Sequence, residues 1–98
     1  MTYYRHKPTV VSAFKWTGEA QADLPEWIGM AITDGRIDLI ATSASMPVYA
    51  EVHTLEGRMM CNPGDWIVRG VEGELYPVKP SVFNAAYEPV EEFNYANQ

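Results

Sequence analysis

At 98 residues, 47% hydrophobic and 12% aromatic, the chain supports one domain with a modest core, and disorder over most of its length is excluded. A formal net charge of −6 disfavours direct nucleic-acid binding, which relies on Lys and Arg to neutralise phosphates. A single cysteine, Cys61, allows no intrachain disulfide, and two histidines without suitably spaced partners predict no zinc site and no cofactor.

A lone free thiol fits a reducing compartment, and no apolar run suggests a signal peptide or a membrane span. The expectation is a cytoplasmic protein that does not associate with membranes. Charge is unevenly distributed: Arg5, Lys7 and Lys15 make the N-terminal segment basic, and Glu88, Glu91 and Glu92 make the C-terminal segment acidic. Such ends either form a solvated, mutually attractive surface or present an acidic face to a basic partner.

Taken in order, Thr9–Trp16 reads as a strand with Val10, Ser12, Phe14 and Trp16 on one face. Asp23-Leu24-Pro25-Glu26 is a helix start, with Asp23 as cap and Pro25 in the first turn. Leu24, Trp27, Ile28 and Ala31 then form a helical stripe, and Gly35 is the stop. Gly29 inside this helix suggests close packing against a sheet. Arg36–Ala41 is a strand with Ile37 and Leu39 inward, and Thr42–Met46 is a small-residue loop. Val48–Leu55 is a longer strand that turns at Glu56-Gly57 and returns as Arg58–Cys61. With Leu55 opposite Arg58, Met59 and Cys61 join Val52 on the core face, and Met60 lies opposite His53.

Pro63-Gly64 is a turn signal, with Asp65 fixing it through a side-chain bond. Trp66–Arg69 and Glu74–Val78 are strands joined by a four-residue loop, Gly70-Val71-Glu72-Gly73. Placing Arg69 opposite Glu74 puts Trp66, Val68, Leu75 and Pro77 on the core face, and Ile67, Arg69, Glu74 and Tyr76 on the outer face. A short helix follows, capped by Ser81, with Phe83 and Tyr87 on one face, and residues 91–98 read as a partly frayed tail. The fold class is α+β, one domain over residues 1–98: a small, strongly bent antiparallel sheet or partial barrel of five to six strands, a main helix at about 23–34 and a short one at about 81–87.

No catalytic constellation stands out. Cys61 falls on the core face, where a thiol is inert, and His6 and His53 read as surface or packing residues, with only Glu51 beside His53. Trp16, Trp27 and Trp66 take core positions. Two surface sets remain. The acidic residues Glu51, Glu72, Glu74, Glu88, Glu91 and Glu92 suit a basic protein partner, whereas Tyr4, Arg5, Arg69, Tyr76 and Lys79 suit a nucleotide-like ligand held by stacking and charge.

Tyr4-Arg5-x-Lys7-Pro8-x-x-Val11-x-Ala13-x-x-Trp16 and Pro63-Gly64-Asp65-Trp66-Ile67-x-x-Gly70-x-x-Gly73-Glu74-x-Tyr76-Pro77-x-Lys79-Pro80-x-x-Phe83-x-x-x-Tyr87 resemble the two ends of a family of small bacteriophage and prophage proteins with a Pro-Gly-Asp-aromatic signature. The likeness covers about half the chain and leaves residues 18–62 unmatched. Family members often carry a cysteine between the Tyr-Pro and Lys-Pro pairs, where this chain has Val78. The resemblance implies a phage origin and a compact fold, and it brings no catalytic residues. In size and charge the chain is also similar to phage inhibitors of host defence such as anti-CRISPRs. The functional expectation is a non-enzymatic phage accessory protein that binds and inhibits a host factor, such as a nucleic-acid-binding defence effector, through its acidic surface. The alternatives are a nucleotide-signal sponge and a virion structural or assembly protein.

Overall fold

The structure, a computed structural model, describes residues 2–4, 8–19, 23–41 and 48–90. The expected Thr42–Met46 loop and the frayed tail lie outside these residues. Among the described residues the elements run β1 (Ser12–Lys15), α1 (Glu26–Thr33), β2 (Ile37–Ala41), β3 (Val48–Thr54), β4 (Gly57–Cys61), β5 (Trp66–Arg69), β6 (Leu75–Val78) and α2 (Pro80–Ala86). The class is α+β. Where one bent sheet was expected, the strands divide into two antiparallel three-stranded sheets, ordered β1-β5-β6 and β2-β3-β4. No helix among the described residues is long and apolar enough to cross a membrane.

Glycines set the hairpin registers. In β5–β6, Gly73 takes φ +84°, and its N–H bonds the Gly70 carbonyl at 3.0 Å. The Gly70 N–H bonds the Glu74 carbonyl at 2.9 Å, so three residues form the loop rather than four. Losing one loop residue shifts the register by one and exchanges the faces of β6. Arg69 pairs with Leu75, Val68 with Tyr76, Ile67 with Pro77 and Trp66 with Val78. Leu75 and Pro77 therefore share a face with Ile67 and Arg69, and Tyr76 shares one with Trp66 and Val68. This overturns the expected sharing of faces: Ile67 is fully buried in the main core and Trp66 only half-buried on the opposite side, although Val68 and Leu75 are buried as expected.

In β3–β4 the turn is Leu55-Glu56, with Thr54 opposite Gly57 rather than Leu55 opposite Arg58. Gly57 takes φ +114°, so the glycine closes the turn instead of sitting at its centre. The Thr54 hydroxyl donates to the Gly57 carbonyl at 2.7 Å and accepts from the Glu56 N–H at 3.1 Å. This register differs from the expected one by an even step, so the faces survive but the partners change. Met60 lies opposite Glu51, and Arg58 opposite His53. Cys61 is buried as expected, but Met59 is 42% exposed because β4 is the edge of its sheet.

Helix α1 starts at Glu26, with Pro25 in the capping position and its carbonyl accepting the Ile28 and Gly29 N–H groups. Asp23 makes no capping bond. The predicted stripe holds: Ile28 and Ala31 are fully buried, and Leu24 and Trp27 pack against the core. The helix ends in a Schellman arrangement, with Gly35 at φ +80° donating to Ile32 and Arg36 to Ala31. Gly29 faces open space, so close sheet packing does not explain it.

The main core gathers Trp16, Ile28, Ala31, Ile37, Ala50, Val52, Cys61, Ile67 and Leu75 between the helix and the two sheets. Trp16 ties them: its indole N–H donates to the Val48 carbonyl at 2.7 Å, and its backbone N–H to Asp65 at 2.9 Å. Helix α2 covers the other side of β5. Its cap is Lys79, with Pro80 at the first helical position, so Ser81 lies inside the helix rather than capping it. Phe83 stacks on Trp66 at 4.0 Å between centroids and on Tyr87 at 4.9 Å.

Candidate functional site

The Pro-Gly-Asp segment builds a rigid corner. Asn62-Pro63-Gly64-Asp65 closes through the Asp65 N–H to the Asn62 carbonyl at 2.9 Å, with Gly64 at φ +98°. The buried Asp65 carboxylate accepts the Asn62 N–H at 3.0 Å and the Lys79 ammonium at 3.2 Å. Asp65 thereby fixes its own turn and anchors the start of α2. Beside it, burial, reinforced by the Asp65 charge and only partly opposed by Lys79, pushes the Cys61 thiol up to about 12. A thiol held protonated is a poor nucleophile.

The residues of the nucleotide-like set do not converge. Arg69 donates to the Ser12 hydroxyl at 3.2 Å and lies over the Trp27 ring at 5.2 Å, rather than pairing with Glu74. Tyr76 projects from the opposite face, where its hydroxyl meets that of Tyr87 at 3.3 Å. Burial first, then that bond, pushes the Tyr76 phenol up to about 12. Lys79 is engaged by Asp65, Tyr4 is 93% exposed, and Arg5 lies outside the described residues.

The acidic set is also dispersed. Glu51 lies on the outer face of β3, with Arg58 at 3.5 Å. Glu72 is exposed in the β5–β6 loop, and its N–H is held by the Glu74 carboxylate at 3.3 Å. The Glu74 side chain lies over Gly70, in the space a Cβ there would occupy. Glu88 is exposed beyond α2, and Glu91 and Glu92 lie outside the described residues.

Two arrangements were missed in the sequence. At the β3–β4 turn, Leu55 is 88% exposed beside the exposed Glu56. Leu55, Glu56 and Met59 line one side of a shallow groove of 360 Å³, and Glu74, Leu75, Tyr76 and Pro77 line the other. An apolar surface bordered by carboxylates is the pattern of a protein-docking site. Its signal was present: the correct two-residue turn places Leu55 at the tip.

On the outer face of β2-β3-β4, Asp38 lies opposite Glu51, and the His53 Nε2 is 2.8 Å from an Asp38 carboxylate oxygen. Asp38 was legible too. Inward Ile37 and Leu39 leave it outward, but only pairing β2 with β3 brings it to His53.

Comparison with protein-family models, curated proteins and solved structures finds no match.

Proposed function

We propose that the chain is a non-enzymatic binding protein that docks on a basic host protein through the apolar, carboxylate-bordered surface at the β3–β4 turn. The observation that carries this reading is Leu55, held 88% exposed at the tip of a two-residue turn beside the groove it shares with Met59 and Glu74. Full burial of a leucine side chain contributes about 1.5–3 kcal/mol, enough to anchor an interface. The net charge of −6 favours a basic partner and speeds encounter with it. The buried, protonated Cys61 thiol argues against thiol catalysis. The resemblance to small phage proteins supplies the setting: the partner is a host factor, and docking inhibits it, with a CRISPR or other defence complex as the target class.

The test is a comparative pull-down from host lysate with the parent and a Leu55→Ser/Met59→Ser variant, read by quantitative mass spectrometry. Both positions are exposed, so the variant should keep the parent's circular dichroism. A partner enriched by the parent should be depleted about tenfold or more with the variant. Equal recovery by both proteins would reject this surface.

A further inference from the structure

We propose that Asp38, Glu51 and His53 form a divalent transition-metal site of the zinc type on the outer face of the β2-β3-β4 sheet. The proposal goes beyond the docking reading and does not depend on it. Strand pairing fixes the three positions. Asp38 and Glu51 are direct cross-strand partners, and His53 follows Glu51 by one pleat on the same face. Each residue offers one ligand atom, and these atoms all lie within 4.8 Å of one another. A tetrahedral ion with bonds of about 2.0–2.2 Å needs donors roughly 3.3–3.6 Å apart. Side-chain rotation supplies that contraction while the ladder holds the backbone.

Electrostatics favour an ion there. Two carboxylates directly opposite each other in a sheet repel. A dication between them converts that repulsion into attraction. Arg58 now approaches Glu51 at 3.5 Å, but its side chain is 68% exposed, and such pairs are weak. Arg58 is thus a competitor that the ion displaces from Glu51.

The donor set decides the class of metal. One imidazole nitrogen and two carboxylate oxygens suit Zn²⁺ or Co²⁺ better than Ca²⁺ or Mg²⁺, which prefer oxygen alone. Histidine Nε2 is the ligating atom, and Asp38, now 2.8 Å from it, turns its oxygen to the ion. Three protein ligands leave the fourth position to water or to a donor from a docked molecule.

The experiment titrates Zn²⁺ into the purified chain by calorimetry, with the visible absorption of Co²⁺ as a second readout of coordination. One ion per chain should bind. Asp38→Asn and His53→Gln should each weaken binding by about tenfold or more. Arg58→Gln should tighten it. All of the described positions are at least partly exposed, and circular dichroism checks that each variant is folded. Absence of binding at millimolar Zn²⁺ would overturn the proposal. So would binding that His53→Gln or Asp38→Asn leaves equal to the parent's.

Discussion

Phe83→Ala should release α2 without unfolding the rest of the protein. The helix has seven residues, no side-chain cap and no fully buried member. Isolated helices this short are not stable in water. One aromatic stack fastens it to β5, Phe83 on Trp66, while the stack of Phe83 on Tyr87 lies between the helix and its own C-cap. Such a pair contributes about 0.5–1.5 kcal/mol beyond its buried area, so removing the ring weakens the attachment by at least that much. Local opening becomes more frequent by the same free energy, a factor of about 2–13 or more. The amide to follow is that of Tyr87, whose N–H bonds the residue-83 carbonyl at 2.9 Å. Its hydrogen exchange should accelerate by that factor, while amides of β3 keep their protection. Ile67→Ala is the contrast, because Ile67 is fully buried in the main core and its truncation should cost about 2–5 kcal/mol globally. Unchanged exchange at Tyr87 in Phe83→Ala, or a global loss as large as that of Ile67→Ala, would refute the two-sided packing of β5.

Gly29→Ala should stabilise the protein by about 1 kcal/mol, since the new methyl meets open space and glycine is a poor helix former. Thermal denaturation should show a rise of roughly 4–8 °C. Native Cys61 should resist alkylation at neutral pH and react once denaturant exposes it, as mass spectrometry can follow. Stability should also fall at alkaline pH. Burial raises the Cys61 thiol from 9.0 to about 12 and the Tyr76 phenol from 10.0 to about 12, so the unfolded chain ionises first. Their contribution is complete below about pH 9 and declines up to about pH 12, which denaturation midpoints across that window would record.

Most of the strand and helix pattern was legible because it depends on local periodicity. The alternation of Val48, Ala50 and Val52, the stripe through Ile28 and Ala31, and the Gly35 stop all survive in the fold. Register was not legible to the same degree. Whether Gly70 belongs to the loop or to the ladder is one hydrogen bond, and that bond decides whether Leu75 faces Ile67 or Val68. The same ambiguity placed Arg69 and Tyr76 on one face and suggested a ligand groove that the pairing separates. Asp38 was hidden for another reason: it meets His53 only through the pairing of β2 with β3, which local patterns do not specify.

The most direct test of the docking account is the association rate of the captured partner at increasing salt. Exposed charges act over a Debye length of about 8 Å at physiological ionic strength, and more salt shortens it. With Glu56 and Glu74 bordering the Leu55 surface, the rate should fall steeply as salt rises, while dissociation changes little. A rate independent of salt would contradict an acidic docking surface.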